Sequence, residues 1–340
     1  MVSMKDIANE CGVSVASVSK ALSGQSDISP ATREKIIAAA ERLGYQANSA
    51  ARALKTNRTY NIGVLLVDET RSGLNHDFFS SVLESIRVAA ENHGYDITFI
   101  NANVGKRPAT YLQHCRYRSV DGVVIVCIDF YDPMVRELAE SEIPLVTIDH
   151  SFNNRSAVVS DNMQGAEELT RRAIAAGHRK IAFIHGENTS VTDNRLRGFY
   201  RALEEYGISI PDSYVAESPY HDPDSCSAAV ERLLGLPDRP TCILCPDDYS
   251  AIGGINAVRS HGLKVPEDIS ILGYDGKSIA RVIEPKLTTW EQNTDGLGSL
   301  SVEQLVRMIE HPKTTIPEIV TVTGKLLEGT SLAQPPAGRR

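Results

Sequence analysis

The spacing of apolar residues near the start of the chain predicts three short helices. The first has its apolar positions at Met4, Ile7, Ala8 and Cys11. The second turns its apolar face inward at Val15, Val18 and Leu22. The third has an inner face of Ile36, Ile37, Ala40 and Leu43. Two short helices joined by a tight turn are typical of a helix-turn-helix, whose second helix can lie in the major groove of DNA.

Small polar residues indicate where these helices begin. Ser3 is followed three positions later by Asp6, which is a capping-box pattern. Gly12 suits the turn after the first helix, and Ser14 is placed to cap the second. Ser29 is placed to cap the third.

The outward face of the second helix carries the candidates for contact with DNA. Val15 and Ala16 can touch a thymine methyl group but form no side-chain hydrogen bond, so direct base reading is expected from Ser17 and Lys20. The candidate residues in this helix and its cap are Ser14, Val15, Ala16, Ser17, Ser19 and Lys20.

Beyond position 60, apolar runs of strand length alternate with helical periodicity. Strands are predicted at 62–67, 97–100, 122–127, 144–148, 180–185, 241–245 and 269–273. Helices are predicted at 78–93, 109–118, 133–141, 163–176, 195–206, 224–234, 249–261 and 295–310. Strands separated by single helices indicate an α/β fold with doubly wound parallel sheets.

Two comparable series of strands and helices predict a body with two lobes. Lobe 1 is expected at about 61–161 and 292–320, and lobe 2 at about 162–291 and 321–330. The predicted organisation is a small all-α helix-turn-helix head at 1–47, a linker at 48–60, a body at 61–330 and a tail at 331–340. The tail has no leucine heptads, so no tetramerising coiled coil is expected there.

Polar residues at the ends of the predicted strands are candidates for ligand binding, because open α/β sheets bind ligands outside the carboxyl ends of their strands. Carboxylates accept hydroxyl hydrogen bonds, and aromatic faces can pack on the C–H face of a sugar. The candidates from this pattern are Asp149, Asp161, Asp247, Asp275, Arg195, Phe78, Phe79 and Trp290.

Charge is distributed unevenly along the chain. The net charge is −8. Residues 1–60 hold eight basic against five acidic residues, and the remainder holds 27 basic against 38 acidic. A basic head on an acidic body suits DNA contact limited to the head, because phosphate repels the body.

No membrane-spanning apolar run of about 18 residues and no secretion signal is present, so a cytoplasmic protein is expected. Six cysteines show no metal-ligand grouping. The pair at Cys242 and Cys245 lies in an apolar stretch that indicates a buried strand, so we expect reduced thiols, no metal and no cofactor.

Several motifs in order resemble the LacI/GalR family of transcriptional regulators. In the head these are Met4-Lys-Asp-Ile-Ala, Gly12-Val-Ser-Val-Ala-Ser-Val-Ser, Thr32-Arg-Glu-Lys-Ile, Leu43-Gly-Tyr and Asn48 through Leu54. In the body they include Asn194-Arg-Leu-Arg-Gly-Phe, Asp247-Asp-Tyr-Ser-Ala-Ile-Gly and Gly273-Tyr-Asp. The resemblance covers nearly the whole chain and implies a body like that of periplasmic sugar-binding proteins.

The resemblance implies roles for particular residues. Family positions that contact effector fall on Phe78, Phe79, Arg195, Asp247 and Asp275. In the linker it implies a hinge helix in which Leu54 enters the minor groove as an apolar wedge. The linker residues expected to contact DNA are Asn48, Ala51, Arg52, Leu54 and Lys55. Asp247 stands where the family usually has asparagine, which alters the cleft wall.

Three classes of function were weighed. The favoured one is a homodimeric repressor on a near-palindromic double-stranded DNA operator, controlled by a small effector, most simply a sugar. An enzyme is disfavoured because no Gly-x-Gly-x-x-Gly, phosphate-binding loop or Gly-x-Ser-x-Gly motif is present. A transport receptor is disfavoured by the head. A nucleobase, sugar phosphate or partner protein as effector stays open, as does the choice between inducer and corepressor.

Overall fold

A computed structural model describes residues 2–22, 27–45, 58–67 and 73–336. The chain divides into two compact units, a head of Met1–Thr59 and a body of Tyr60–Arg340. The linker residues predicted to contact DNA, from Asn48 to Lys55, lie outside the described residues.

The head contains the three predicted helices, and their predicted caps are confirmed. They are α1 (Met4–Cys11), α2 (Val15–Leu22) and α3 (Pro30–Leu43). The Ser3 side chain accepts from the Asp6 backbone N–H, and the Asp6 side chain accepts in return. Ser14 accepts from the backbone N–H of Ser17 at 3.0 Å, and Ser29 caps α3. Gly12 adopts φ 66°, the left-handed conformation that its turn requires.

The buried faces of α2 and α3 differ from the prediction. In α2 the buried residues are Val18 and Ala21, whereas the Val15 side chain is 46% exposed. In α3 Ile36 is fully buried, but Ile37 is 38% exposed. Both helices pack on α1 through one narrow stripe, so the predicted apolar faces were too wide. Val15 is thereby turned outward.

Lobe 1 is built on a six-stranded parallel sheet in the order β13-β7-β6-β5-β1-β2. Its strands are β1 (Asn61–Leu66), β2 (Asp96–Ile100), β5 (Gly122–Cys127), β6 (Leu145–Ile148), β7 (Ser156–Ser160) and β13 (Ile319–Val322). Its helices are α4 (Asp77–Asn92), α5 (Tyr111–Arg118), α6 (Pro133–Ala139) and α12 (Thr294–Glu310). A short hairpin joins β3 (Asn103–Val104) to β4 (Arg107–Pro108).

Lobe 2 is built on a four-stranded parallel sheet in the order β11-β10-β8-β9. Its strands are β8 (Ile181–His185), β9 (Val215–Glu217), β10 (Cys242–Leu244) and β11 (Ser270–Leu272). Its helices are α7 (Asn162–Ala175), α8 (Ser190–Glu205), α9 (Pro223–Leu234), α10 (Ser250–Ser260) and α11 (Ser278–Val282). An antiparallel pair, β12 (Thr289–Glu291) with β14 (Lys325–Leu327), lies at the return of the chain.

Several elements depart from the predicted positions. The strand at 156–160 was not predicted, since its apolar core is only Ala-Val-Val. The strand at 319–322 belongs wholly to the lobe 1 sheet, two residues beyond the predicted limit at 320. Helix α8 begins at Ser190, because Thr189 caps it, so Arg195 lies in its second turn rather than at its start. None of the described helices is both long and apolar enough to cross a membrane.

Close packing of α9 on α10 depends on Gly253. A Cβ atom added there would lie 1.7 Å from the backbone oxygen of Pro223. We predict that Gly253→Ala lowers the free energy of unfolding by about 2 kcal/mol or more, because backbone atoms cannot move aside cheaply. Gly235→Ala is the matched control, since its nearest contact is 3.6 Å, and it should change stability by less than about 0.5 kcal/mol. Equal denaturant midpoints for the two variants would contradict this account of the packing.

His178 ties the start of lobe 2 to the end of the described chain. Its Nδ1 lies 2.8 Å from Thr241 Oγ1, and its Nε2 lies 2.9 Å from the Ala333 backbone oxygen. A carbonyl can only accept, so Nε2 carries the proton and donates. Burial lowers the pKa of His178 to about 4.

This pKa predicts a loss of stability in acid. The unfolded chain binds a proton at His178 near pH 6.5, whereas the folded chain does so only near pH 4. Folding is therefore weakened as the pH falls through that window, by about 3 kcal/mol in total. Urea unfolding measures the free energy of unfolding of wild type, His178→Asn and the exposed control His311→Asn at each pH. Between pH 6.5 and 4 this free energy should fall by about 3 kcal/mol less in His178→Asn than in the other two proteins. Parallel curves for all three proteins would refute the assignment.

Candidate functional site

The outward face of α2 is the candidate DNA surface of the head. Ser14, Val15 and Ala16 are exposed, while Ser17, Ser19 and Lys20 are half-buried. The Ser14 hydroxyl contacts the Ser17 hydroxyl at 2.9 Å in addition to its capping bond. Six small or cationic side chains thus lie on one accessible strip, which can approach a groove closely.

The Lys20 ammonium is paired with the Asp27 carboxylate. Both side chains are about half exposed, so solvent screens the pair and its stabilising effect is small. A phosphate or a base edge can therefore replace Asp27 as the partner of Lys20 at little cost.

The body contains a cavity of about 330 Å³ between the two lobes. Its walls come from the loops after strands of both sheets, as expected for parallel α/β folds. Six of the predicted residues line it: Phe78, Phe79, Asp149, Arg195, Asp247 and Asp275.

Arg195 is buried in the lobe 2 wall. Its Nε donates to Asn162 Oδ1 at 2.9 Å, and Nη1 donates to the Pro246 backbone oxygen at 2.9 Å. The guanidinium carbon lies 3.6 Å from the centre of the Tyr274 ring, a cation–π contact. Nη2 lies 3.9 Å from Asp275 Oδ1, too far for a direct hydrogen bond.

Asp275 and Asp247 are held by their own lobe. Asp275 adopts φ 101°, and its Oδ1 accepts from Gln292 Nε2 at 2.7 Å. Asp247 accepts from the backbone N–H groups of His221 and Ser250, each at 2.7 Å, and also from the Ser250 hydroxyl. Burial and the nearby Asp275 raise the pKa of Asp247. Asp247 therefore shapes the wall and has less capacity for a ligand than the sequence suggested.

Asp149 and its neighbour His150 come from the loop after β6. Asp149 accepts from the backbone N–H of Ser160 at 2.6 Å and from its hydroxyl at 3.2 Å. The loss of hydration raises the pKa of Asp149. His150 stacks face to face on Phe130, with ring centres 4.1 Å apart.

Two predicted residues lie elsewhere, and their assignment to the cavity is corrected. Asp161 caps α7, where its Oδ1 accepts from the backbone N–H of Gln164 at 3.0 Å. Trp290 is 4% exposed and packs in the hydrophobic core of lobe 2 beside Leu326. A Cβ on Gly165 would lie 2.8 Å from the Trp290 ring, so α7 covers this side chain.

The sequence reasoning missed several aromatic and polar residues of the cavity. Phe130 and Tyr131 follow β5, His150 follows β6 and Tyr220 follows β9. The strand-end rule applied to aromatic side chains, and not mainly to carboxylates, would have found them. The further lining residues include His76, Asp129, Glu187, Asn188, Thr189, Ser190 and Gln292.

Ring stacking connects the lobes beside the cavity. His76 of lobe 1 stacks on His221 of lobe 2 with ring centres 4.1 Å apart, and His221 stacks on Tyr249 at the same distance. The Ser190 hydroxyl also donates to the Asp149 backbone oxygen at 3.1 Å. The residues that border the cavity therefore also make contacts between the two lobes.

Among the described residues, no group of His, Cys, Asp and Glu side chains could hold a metal ion. Cys242 lies in β10 and is fully buried, as predicted for its stretch. Burial raises the pKa of the Cys242 thiol, so it is protonated at neutral pH.

The head and the body each match a known protein family. Residues 3–48 match the bacterial regulatory proteins of the lacI family, and residues 170–332 match the periplasmic binding protein-like domain. The HTH-type transcriptional repressor PurR of Escherichia coli O139:H28 is 32% identical over 345 residues, covering 99% of this chain and 98% of that protein.

Solved structures agree over most of the chain. The lac repressor dimer bound to operator and the anti-inducer ONPF gives a TM-score of 0.79 at 25% identity, covering 98% of this chain and 99% of that one. The complex of the transcriptional regulator CelR with cellobiose gives 0.71 at 26% identity, covering 97% and 100%. A LacI family regulator from Enterococcus faecium with bound ribose gives 0.68 at 26% identity, covering 81% and 99%.

A helix-turn-helix head, a two-lobed body and a full-length relative that is a repressor lead to one conclusion. The chain belongs to the LacI/GalR family and is a DNA-binding transcriptional repressor with an effector-binding body, not an enzyme.

Proposed function

We propose that the effector of this repressor is a neutral sugar, bound in the cavity between the lobes, and that its binding changes operator affinity. The observation that carries this proposal is the gap of 3.9 Å between Arg195 Nη2 and Asp275 Oδ1. A hydroxyl group placed beside this pair can bridge it, because it accepts from the guanidinium and donates to the carboxylate at once. A ligand with several hydroxyl groups can use further acceptors in the same wall.

The aromatic side chains of the cavity support a sugar as well. Phe78 and Phe79 form an edge-to-face pair with centres 5.3 Å apart at the start of α4. The half-buried Phe79 offers an apolar surface to the C–H groups of a sugar ring, and Phe78 supports it from the core of lobe 1. The relatives crystallised with cellobiose and with ribose are consistent with this class of ligand.

For the DNA side, we propose a homodimer that places two α2 helices on the halves of a near-palindromic operator. Effector binding would favour one angle between the lobes, and the linker would transmit this difference to the heads. Leu54 and its neighbours in the linker remain the proposed minor-groove contacts. Whether the sugar weakens or strengthens operator binding is open in this scheme.

A nucleobase is the second candidate, because the ring of Phe130 already stacks on His150 at 4.1 Å and a flat ligand could extend such a stack. The internal hydrogen bonds of Asp149 and Asp247 also leave fewer acceptors for hydroxyl groups. The open pair of Arg195 and Asp275 nevertheless favours a ligand that donates and accepts through one atom.

A thermal-shift and calorimetry screen tests the class of effector. We predict that at least one neutral sugar raises the melting temperature, whereas adenine, guanine, hypoxanthine and sugar phosphates do not. Asp275→Asn should weaken binding of that sugar by about tenfold or more, since the buried acceptor loses its negative charge and its hydrogen bond to the sugar is no longer charge-assisted. Asp224→Asn, an exposed change in α9, is the matched control and should bind normally. Stabilisation by a nucleobase alone would overturn the proposal.

Two substitutions in the head are expected to change operator affinity in different directions. Lys20→Ala should weaken operator binding and reduce the salt dependence by about one counterion if Lys20 contacts phosphate. Asp27→Asn should leave binding unchanged or tighten it, because it removes the carboxylate charge that competes with DNA phosphate for Lys20. Lys313→Ala, on the exposed surface of the body, is the charge-matched control. Fluorescence anisotropy with an operator duplex measures all three, and unaltered binding by Lys20→Ala would remove this residue from the interface.

A further inference from the structure

The cavity is bordered by the ends of several neighbouring strands in each lobe. On lobe 1 its lining follows three neighbouring strands, with Val67 after β1, Cys127 at the end of β5 and Asp149 after β6. Neighbouring strands lie about 4.8 Å apart, so these three strand ends span about 10 Å. A single pyranose ring covers only part of that edge.

The opposite wall has a similar reach. The four strands of the lobe 2 sheet all contribute, through Asp275 after β11, Asp247 after β10, Glu187 after β8 and Tyr220 after β9. Four neighbouring strand ends span about 14 Å. Each wall therefore has a length of strand edge that exceeds a single pyranose ring.

A second aromatic platform lies away from Phe78 and Phe79. Phe130 and His150 come from the loops after β5 and β6, whereas the phenylalanine pair follows β1. Phe152 fixes this second platform, since its ring lies edge-on to Phe130 at 6.0 Å and to His150 at 4.7 Å. Phe130 and Phe152 also pack on the core of lobe 1.

The second platform is suited to a neutral, partly polar ring. Burial lowers the pKa of His150, so its imidazole is uncharged at neutral pH and presents a flat face. Polar side chains border the same cavity, among them Asp129, Asn188 and Thr189. A platform of this kind with polar groups beside it matches the two faces of a second sugar unit.

We propose that the effector is a disaccharide, with one ring held by Arg195 and Asp275 and the second ring packed on Phe130 and His150. This inference rests on the proposed sugar-binding function and names the size class of the sugar. Groups along the whole length of the cavity determine which two sugar rings bind and how they are joined by the glycosidic bond.

Isothermal titration calorimetry on the full chain tests this inference with cellobiose, maltose, lactose, sucrose and trehalose beside glucose, galactose, fructose and ribose. We expect one disaccharide to bind at least tenfold more tightly than any of the monosaccharides. Phe130→Ala should lower the affinity for that disaccharide by about tenfold and alter the affinity for monosaccharides by less than twofold. Asp275→Asn should lower the affinity for both disaccharides and monosaccharides.

Control variants keep the outcome decisive. Tyr117→Ala removes a ring that is 61% exposed and does not line the cavity, so it should bind like wild type. Phe130→Leu keeps apolar volume while removing the flat face, and it should reproduce the loss if Phe130→Ala proves unstable. A monosaccharide that binds as tightly as every disaccharide, with no effect of either Phe130 variant, would refute the second subsite and leave the sugar proposal standing. Failure of all sugars together with binding of a nucleobase would refute both.

Discussion

The body is organised around one buried positive charge. A guanidinium withdrawn from water is stable only when its donors and its faces find partners, and Arg195 finds Asn162, the Pro246 carbonyl and the ring of Tyr274. These partners come from α7, from the loop after β10 and from the loop after β11. Satisfying this charge therefore fixes one helix and two loops of lobe 2 at once. The remaining donor, Nη2, lies 3.9 Å from Asp275 Oδ1, and a hydroxyl beside this pair can bridge the two groups.

The carboxylates of the lobe 2 wall differ in how many hydrogen bonds they already accept from the protein. The oxygens of Asp247 accept hydrogen bonds from the first turn of α10 and from the loop that carries His221, so Asp247 stabilises the structure of the wall. Asp275 has a single short hydrogen bond from Gln292 and faces Arg195, so it retains capacity for a ligand. On the other wall the aromatic platforms supply contact area. Because His76 and His221 stack across the lobes, the cavity and the contacts between the lobes form one connected structure.

Periodicity and capping residues predicted the helix-turn-helix, the alternation of strands and helices and most of the strand ends. They could not predict which side of a short helix is buried, because Val15 and Val18 are equally apolar and only packing on α1 separates them. Strand ends identified Arg195 and Asp275, since a polar residue after a buried strand has few other places to go. Trp290 and Asp161 were misplaced because a core tryptophan and a helix cap leave the same local pattern as a binding residue. Phe130 and His150 were missed because their stacking joins loops from two different strands.

The central claim is that occupation of the cavity alters the grip of the heads on DNA. It is tested most directly by fluorescence anisotropy of a labelled operator duplex, selected by the intact protein from a random pool, titrated with and without a saturating sugar that binds the cavity. We expect the sugar to move the operator dissociation constant by about fivefold or more in wild type, a coupling of about 1 kcal/mol, and Asp275→Asn to need about tenfold more sugar for the same change. Identical titration curves for the wild-type protein with and without bound sugar would contradict this claim.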